Sequence, residues 1–178
     1  MNTFAVIGGG SWATAIVKML TENNNMVIWY MRNSEAIKHI EEEFHNPNYL
    51  SAVSFDLKYL KLTDQIDQAL NGADCIVFAI PSAFLVAEMA KSSAVLKNKI
   101  VFSAIKGIIP ESGKIVGEHL HETHGIPLDQ IGIITGPCHA EEVALERLSF
   151  LTIACANLET ATQISKALQS SYIKTKIS

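Results

Sequence analysis

The chain has 178 residues, 48% of them apolar and 18% charged, with a net charge of −4. That is the make-up of an ordinary globular fold, long enough for a core that needs no staples. No basic stripe offsets the acidic balance and no apolar run approaches the roughly 18 residues of a membrane span, so neither nucleic acid nor a bilayer is the expected partner.

Residues 3–7 read as a buried strand that opens onto Gly8-Gly9-Gly10. Residues 11–21 read as a helix whose Trp12, Ala15, Ile16, Met19 and Leu20 share one face. A second strand at 26–30 (MVIWY) leads to a polar helix at 34–44, whose Glu41-Glu42-Glu43 is a solvated face. The stretch 45–59 is irregular, with Asn46-Pro47-Asn48-Tyr49-Leu50 as a turn; a short strand at 60–63 and a helix at 64–70 follow. Residues 74–80 (DCIVFAI) are a continuous apolar strand ended by Pro81, and 82–92 a helix with Ser82 as N-cap. A strand at 100–105, a helix at 111–121, a strand at 131–135 and a helix at 139–147 come next. A strand at 150–155, a helix at 158–169 and a final strand at 172–177 complete the alternation.

Strands alternating with helices of this length predict βαβ units, and right-handed crossovers make them an α/β, doubly wound, mostly parallel sheet with helices on both faces. The expected organisation is one Rossmann-like domain spanning 1–178. No basic segment precedes the first apolar run, so no leader is expected. Cys75, Cys138 and Cys155 are odd in number and lack C-x-x-C spacing, which fits a reducing cytoplasm and argues against a disulfide framework or a cysteine metal site. His121 and His124 are one residue short of the zinc-binding helical spacing, so no metal is expected.

In doubly wound sheets ligands sit beyond the carboxyl ends of the strands. The first such turn is Gly8-x-Gly10-x-x-Ala13, a dinucleotide fingerprint with Ala in the third place. Gly8 allows the tight turn, Gly10 leaves room for a pyrophosphate, and Ala13 lets helix and strand lie close. The amides of Ser11 and Trp12 would face that anion from a helix N-terminus. An NAD-type fold places an acid at the end of the second strand; here that segment is Tyr30-Met31-Arg32-Asn33, with no acid before Glu35. Arg32 suits a 2′-phosphate, which leans towards NADPH or tolerance of NADH as well, and it equally reads as a surface arginine starting a helix.

Lys106 ends the fifth strand in Ala104-Ile105-Lys106-Gly107, where an amine could hold a phosphate or polarise a carbonyl. By spacing alone a strand-ending surface lysine is the plainer reading. Gly136-Pro137-Cys138-His139-Ala140-Glu141-Glu142-Val143-Ala144 is the other strand-to-helix turn. Neighbouring Cys138 and His139 point different ways at a helix start, so Cys138 reads as a small wall residue rather than a nucleophile.

These segments, with His45-Asn46-Pro47-Asn48-Tyr49-Leu50 and the strand ending in Pro81-Ser82, resemble the NAD(P)-dependent glycerol-3-phosphate dehydrogenase family in its bacterial form. The resemblance runs from the first strand to the last. It implies hydride transfer between a nicotinamide and the pair dihydroxyacetone phosphate and sn-glycerol 3-phosphate, for glycerophospholipid synthesis. It assigns Ser11, Trp12, Arg32, Lys106 and Ala140, beside Gly8 and Gly10, to the cofactor, and Lys106, Gly136 and Cys138 to the substrate. Cys138 stands where Ser or Thr is common, so contacts there are expected from backbone amides. Family members carry a further helical domain with the main catalytic lysine, so this chain is expected to bind cofactor without turnover and to need that domain as a partner. The competing readings are a nucleotide-binding sensor without catalysis and another two-domain hydroxy-acid or ketopantoate-type dehydrogenase; Lys106-Gly107 and the Gly136–Glu142 segment argue against the last.

Overall fold

The computed structural model describes residues 3–178; Met1 and Asn2, the first residues of the expected domain, lie outside them. Its strands are β1 (Thr3–Ile7), β2 (Met26–Tyr30), β3 (Leu60–Thr63), β4 (Cys75–Phe78), β5 (Ile100–Ser103), β6 (Ile131–Thr135), β7 (Ser149–Cys155) and β8 (Ile173–Ile177). They form one sheet in the order β3-β2-β1-β4-β5-β6-β7-β8. The helices are α1 (Ser11–Glu22), α2 (Ser34–Glu43), α3 (Ile66–Gly72), α4 (Ser82–Met89), α5 (Val116–His124), α6 (Ala140–Ala144) and α7 (Leu158–Leu168). This is the expected α/β, doubly wound, mostly parallel arrangement.

Consecutive residues of a strand face opposite sides of a sheet, so a strand covered on both faces must be apolar throughout. β1 shows this directly. Phe4 and Val6 belong to the core layer built with α1, α2 and α7, and Ala5 and Ile7 to the layer built with α3, α4 and α5. The strand order reverses between β1 and β4, which pair in parallel with Ile7 opposite Phe78. A crevice opens beyond their carboxyl ends, where such folds take ligands.

β7 runs antiparallel to β6. A parallel return needs an element that travels back along the strand. The five residues of α6 rise only about 7.5 Å, against about 16 Å for a five-residue strand. α6 packs on α1 instead.

Several elements are shorter than their sequence patterns. Regular pairing ends at Phe78 in β4 and at Ser103 in β5; Ala79 N–H still donates to Ile7 O and Ala104 N–H to Phe78 O, both at 2.9 Å, and Ile80 and Ile105 beyond them line the crevice. The helix expected from residue 111 begins at Val116. Ile108 bridges Ile115, and Gly113, at φ +67°, closes the turn between them. The helix expected at 139–147 is reduced to α6, since Glu146 adopts a left-handed conformation at φ +54°. Pro81, not Ser82, is the N-cap of α4; its extended backbone accepts from Phe84 N–H at 2.9 Å, and no side chain caps the helix.

Candidate functional site

The glycine turn after β1 is held from several sides. Gly8 has φ +136°, and a Cβ there would lie 2.4 Å from the Ala79 carbonyl oxygen, so the neighbouring strand end itself requires glycine. Gly8 N–H donates to Tyr30 O at 3.0 Å, and its carbonyl accepts from the buried Trp29 Nε1 at 2.6 Å. Gly10 is different: a Cβ there would meet nothing within 4 Å. It N-caps α1 in extended backbone, and no side chain caps that helix. The first-turn amides and the positive end of a 12-residue helix therefore face open space.

Asn46 ties the irregular loop to this turn. Fully buried, it donates from Nδ2 to Gly9 O at 3.2 Å and Thr14 Oγ1 at 2.9 Å, while its Oδ1 accepts from Asn48 N–H at 3.0 Å. Both amide hydrogens are thus used, and the loop carrying Asn48 and Tyr49 is fixed beside the glycines.

Two adjoining clefts share Gly10, Ala79, Ile80 and Pro81. One, of about 730 Å³, contains Ser11, Trp12, Lys106, Gly136, Cys138 and Ala140 along its walls. The other, of about 520 Å³, contains Gly8, Arg32 and Tyr49. All the residues singled out in the sequence for cofactor or substrate therefore line one continuous crevice, although they come from separate strand ends, those of β1, β2, β5 and β6.

The smaller cleft is polar at its far end. Arg32 lies over the Phe84 ring, 5.3 Å from its centre, and its Nη1 is 3.4 Å from Glu88 Oε1. Glu88 is buried on α4, accepts from Tyr30 Oη at 2.7 Å and pairs with Lys91 at 2.9 Å. Burial works to raise the Glu88 carboxyl, but Lys91, Tyr30 and Arg32 hold it below the usual carboxylate range. Burial, and then the same carboxylate, push the Tyr30 phenol up. Sequence reasoning missed Glu88, although a lone acid in the apolar run Phe84-Leu85-Val86-Ala87-Glu88-Met89-Ala90 was a signal. Trp29 fills the core as a packing residue, and its hydrogen bond to Gly8 O, which nothing in the sequence foretold, steadies the glycine turn.

In the larger cleft Lys106 is exposed and, among the described residues, has no hydrogen bond or ion pair. Gly136 has φ +131°, with Phe150 O where a Cβ would stand. Cys138 is buried, and burial pushes its thiol up against an opposing hydrogen bond with Ser149, which is the wrong direction for a nucleophile. Its own amide donates to Gly136 O at 3.0 Å. That N–H is engaged within the turn.

The sequence profile described as NAD-dependent glycerol-3-phosphate dehydrogenase N-terminus matches residues 3–161. The chain belongs to this family. A glycerol-3-phosphate dehydrogenase [NAD(P)+] of Limosilactobacillus reuteri (strain DSM 20016) is 33% identical over 176 residues, covering 96% of the chain and 52% of the relative. One from Exiguobacterium sp. is 32% identical over 170 residues, covering 94% and 50%. The chain thus spans about half the length of the glycerol-3-phosphate dehydrogenases it matches. The fold agrees with that of the Plasmodium falciparum glycerol-3-phosphate dehydrogenase at a TM-score of 0.88 and 22% identity, over 99% of this chain and 52% of the other. Among the described residues no helix is long and apolar enough to cross a membrane.

Proposed function

We propose that the chain is the cofactor-binding part of an NAD(P)-dependent glycerol-3-phosphate dehydrogenase that interconverts dihydroxyacetone phosphate and sn-glycerol 3-phosphate. The product would supply glycerophospholipid synthesis. Family membership supports the substrate pair. The observation that carries cofactor binding is Gly10: an uncapped helix start, open space where a side chain would be, and a crevice on either side. The residues present fit a dinucleotide, with Gly10, Ser11 and Trp12 at the pyrophosphate and Arg32 at the adenosine ribose. When bound, the nicotinamide supplies the hydride.

Lys106 has the chemistry to hold the substrate's phosphate or carbonyl oxygen, as an exposed ammonium at the rim of the larger cleft. Gly136 and Ala140 shape the opposite wall. A proton donor for the forming alcohol, and closure of the cleft against water, fall to the half that the relatives possess beyond the matched region. On this reading the chain alone binds cofactor and turns over essentially nothing. Its three free cysteines suit a reducing cytoplasm.

The test has two arms. NADPH and NADH are titrated into residues 1–178 by fluorescence, with binding expected. The chain is then fused to the C-terminal half of the L. reuteri relative, and oxidation of NAD(P)H is followed with dihydroxyacetone phosphate. Binding without turnover in the fusion would favour the sensor reading, and no binding in either form would end the proposal.

A further inference from the structure

We propose that His39 and His45 form a two-histidine site for a zinc ion, which would clasp the end of α2 to the loop bordering the smaller cleft. The two residues lie six positions apart, across the end of the helix, a spacing that no helical metal motif announces. The fold brings them together. Their Nε2 atoms stand 3.4 Å apart, with ring centres at 4.8 Å and planes crossing at 77°. The nitrogens are nearer than the ring centres, so the rings meet through their Nε2 corners.

That separation is long for an N–H hydrogen bond, which prefers ~2.7–3.2 Å. It matches a shared metal: two imidazole nitrogens, each ~2.0–2.1 Å from a tetrahedral zinc ion, stand ~3.3–3.4 Å apart. His45 Nδ1 lies 3.3 Å from the Asn46 carbonyl oxygen. A carbonyl can only accept, so it favours the proton on Nδ1 and leaves the Nε2 lone pair free, the form in which histidine binds metal. Imidazole nitrogen suits zinc rather than magnesium, which takes oxygen ligands. Among the described residues no third histidine, cysteine or carboxylate joins the pair. Water would fill the remaining positions, so the site is open and its ion exchangeable.

The surroundings favour a cation. α2 carries four glutamates and one lysine, and that lysine, Lys38, is 3.8 Å from Glu42. The histidines lie towards the C-terminal end of the helix, the negative pole of its dipole. The backbone is bent to bring them there. Phe44 caps α2 at φ +63°, a left-handed conformation uncommon for a bulky residue, and its side chain is 47% exposed, so burial does not compensate for it. Its N–H donates to Ile40 O at 2.9 Å and its carbonyl accepts from Phe55 N–H at 2.7 Å. This reversal returns His45 towards His39. The next residue is Asn46, whose bonds to Gly9 and Thr14 hold the loop against the glycine turn. A zinc ion would add a second tie to the same loop.

The test is competition for zinc between a chromophoric indicator and residues 1–178, with His39→Gln and His45→Gln as variants. Both positions are half-buried, and glutamine keeps a polar side chain at each, so folding should persist; circular dichroism checks it. The wild-type chain is expected to take one zinc ion at this pair, and each variant to hold it at least about tenfold more weakly. Magnesium should not compete. Zinc should also raise the urea midpoint of the wild type and of neither variant, a readout that stands on the wild type whichever variant folds. His119→Gln, at a second histidine pair whose ring centres are 6.2 Å apart, should bind as the wild type does. A wild-type chain that takes up no zinc, equal affinity in wild type and both variants, or a loss confined to His119→Gln would each overturn the site.

Discussion

The turns after β1 and after β6 begin alike and end differently. Gly8 and Gly136 have φ +136° and +131°, and at each a Cβ would collide with the carbonyl of a neighbouring backbone, Ala79 at 2.4 Å and Phe150 at 2.6 Å. Then they part. The first runs through Gly10, open to the crevice, into a 12-residue helix that no side chain caps. The second folds Cys138 N–H back onto Gly136 O and enters a helix of five residues. A strand-end glycine at positive φ therefore reports close packing of strands. Anion-binding capacity is a separate property, set by the residues and the helix that come after the glycine.

The largest effect should fall equally on both turns. Gly8→Ala and Gly136→Ala each force a left-handed backbone and a clash with main chain, neither of which a rotamer can relieve. Each should lower stability by about 3 kcal/mol or more, read as the shift in urea unfolding. If one variant were tolerated, the two strand ends would not share a constraint.

Gly10→Val separates the turns. Extended backbone at Gly10, with φ −83°, accepts a branched residue, so stability should change by only about 1 kcal/mol. The new methyls would occupy the space next to the α1 amides, and NADPH affinity should fall about 100-fold, equivalent to roughly 2.7 kcal/mol. Unchanged binding would mean that the opening at Gly10 is not the phosphate site.

How much of this was legible in the sequence depends on where each signal lies. The alternating strands and helices, and the glycine turn, are local patterns, and they recover the sheet and its crevice. Element ends were less readable. Ala79, Ile80, Ala104 and Ile105 are as apolar as the strands before them, yet they line the ligand crevice. The reversal at β7 depends on the length of α6, which Glu146 cuts short in a conformation that no sequence pattern announced. Glu88 and Asn46 were missed for a common reason. Each acts on residues far along the chain, Glu88 on Tyr30 and Arg32, Asn46 on Gly9 and Thr14.

Arg32 sharpens the contrast between the polar end of the crevice and the Lys106 end. If it faces a 2′-phosphate, Arg32→Ala should weaken NADPH by about 1.5–3 kcal/mol, one to two decades, and spare NADH. Parallel titrations of the two cofactors decide it. Equal losses would show that Arg32 does not discriminate between them.

The smallest effect tests a link between the two turns at their far ends. Lys18, buried in α1, pairs with Glu22 and reaches Glu146, just after α6, at 3.2 Å and Tyr172 Oη at 3.1 Å. Tyr172 in turn donates to Glu22. Burial first, and then the Glu22 carboxylate, push the Tyr172 phenol up from 10.0 to about 12. Burial works against the Lys18 ammonium, but Glu22 and Tyr172 more than offset it and hold its pKa above the usual lysine range. Both folded-state pKa values are raised, so the stability they contribute is fully present below about pH 10 and is lost as pH climbs towards 12 and beyond. Tyr172→Phe removes the phenol's share, so the decline of unfolding free energy between about pH 9.5 and 11.5 should be shallower by of order 1 kcal/mol. It should not vanish, because Tyr30 is also raised and remains. An identical slope in wild type and variant would mean that the phenol titrates alike in folded and unfolded chains, and that the cluster does not join α1 to the end of α6.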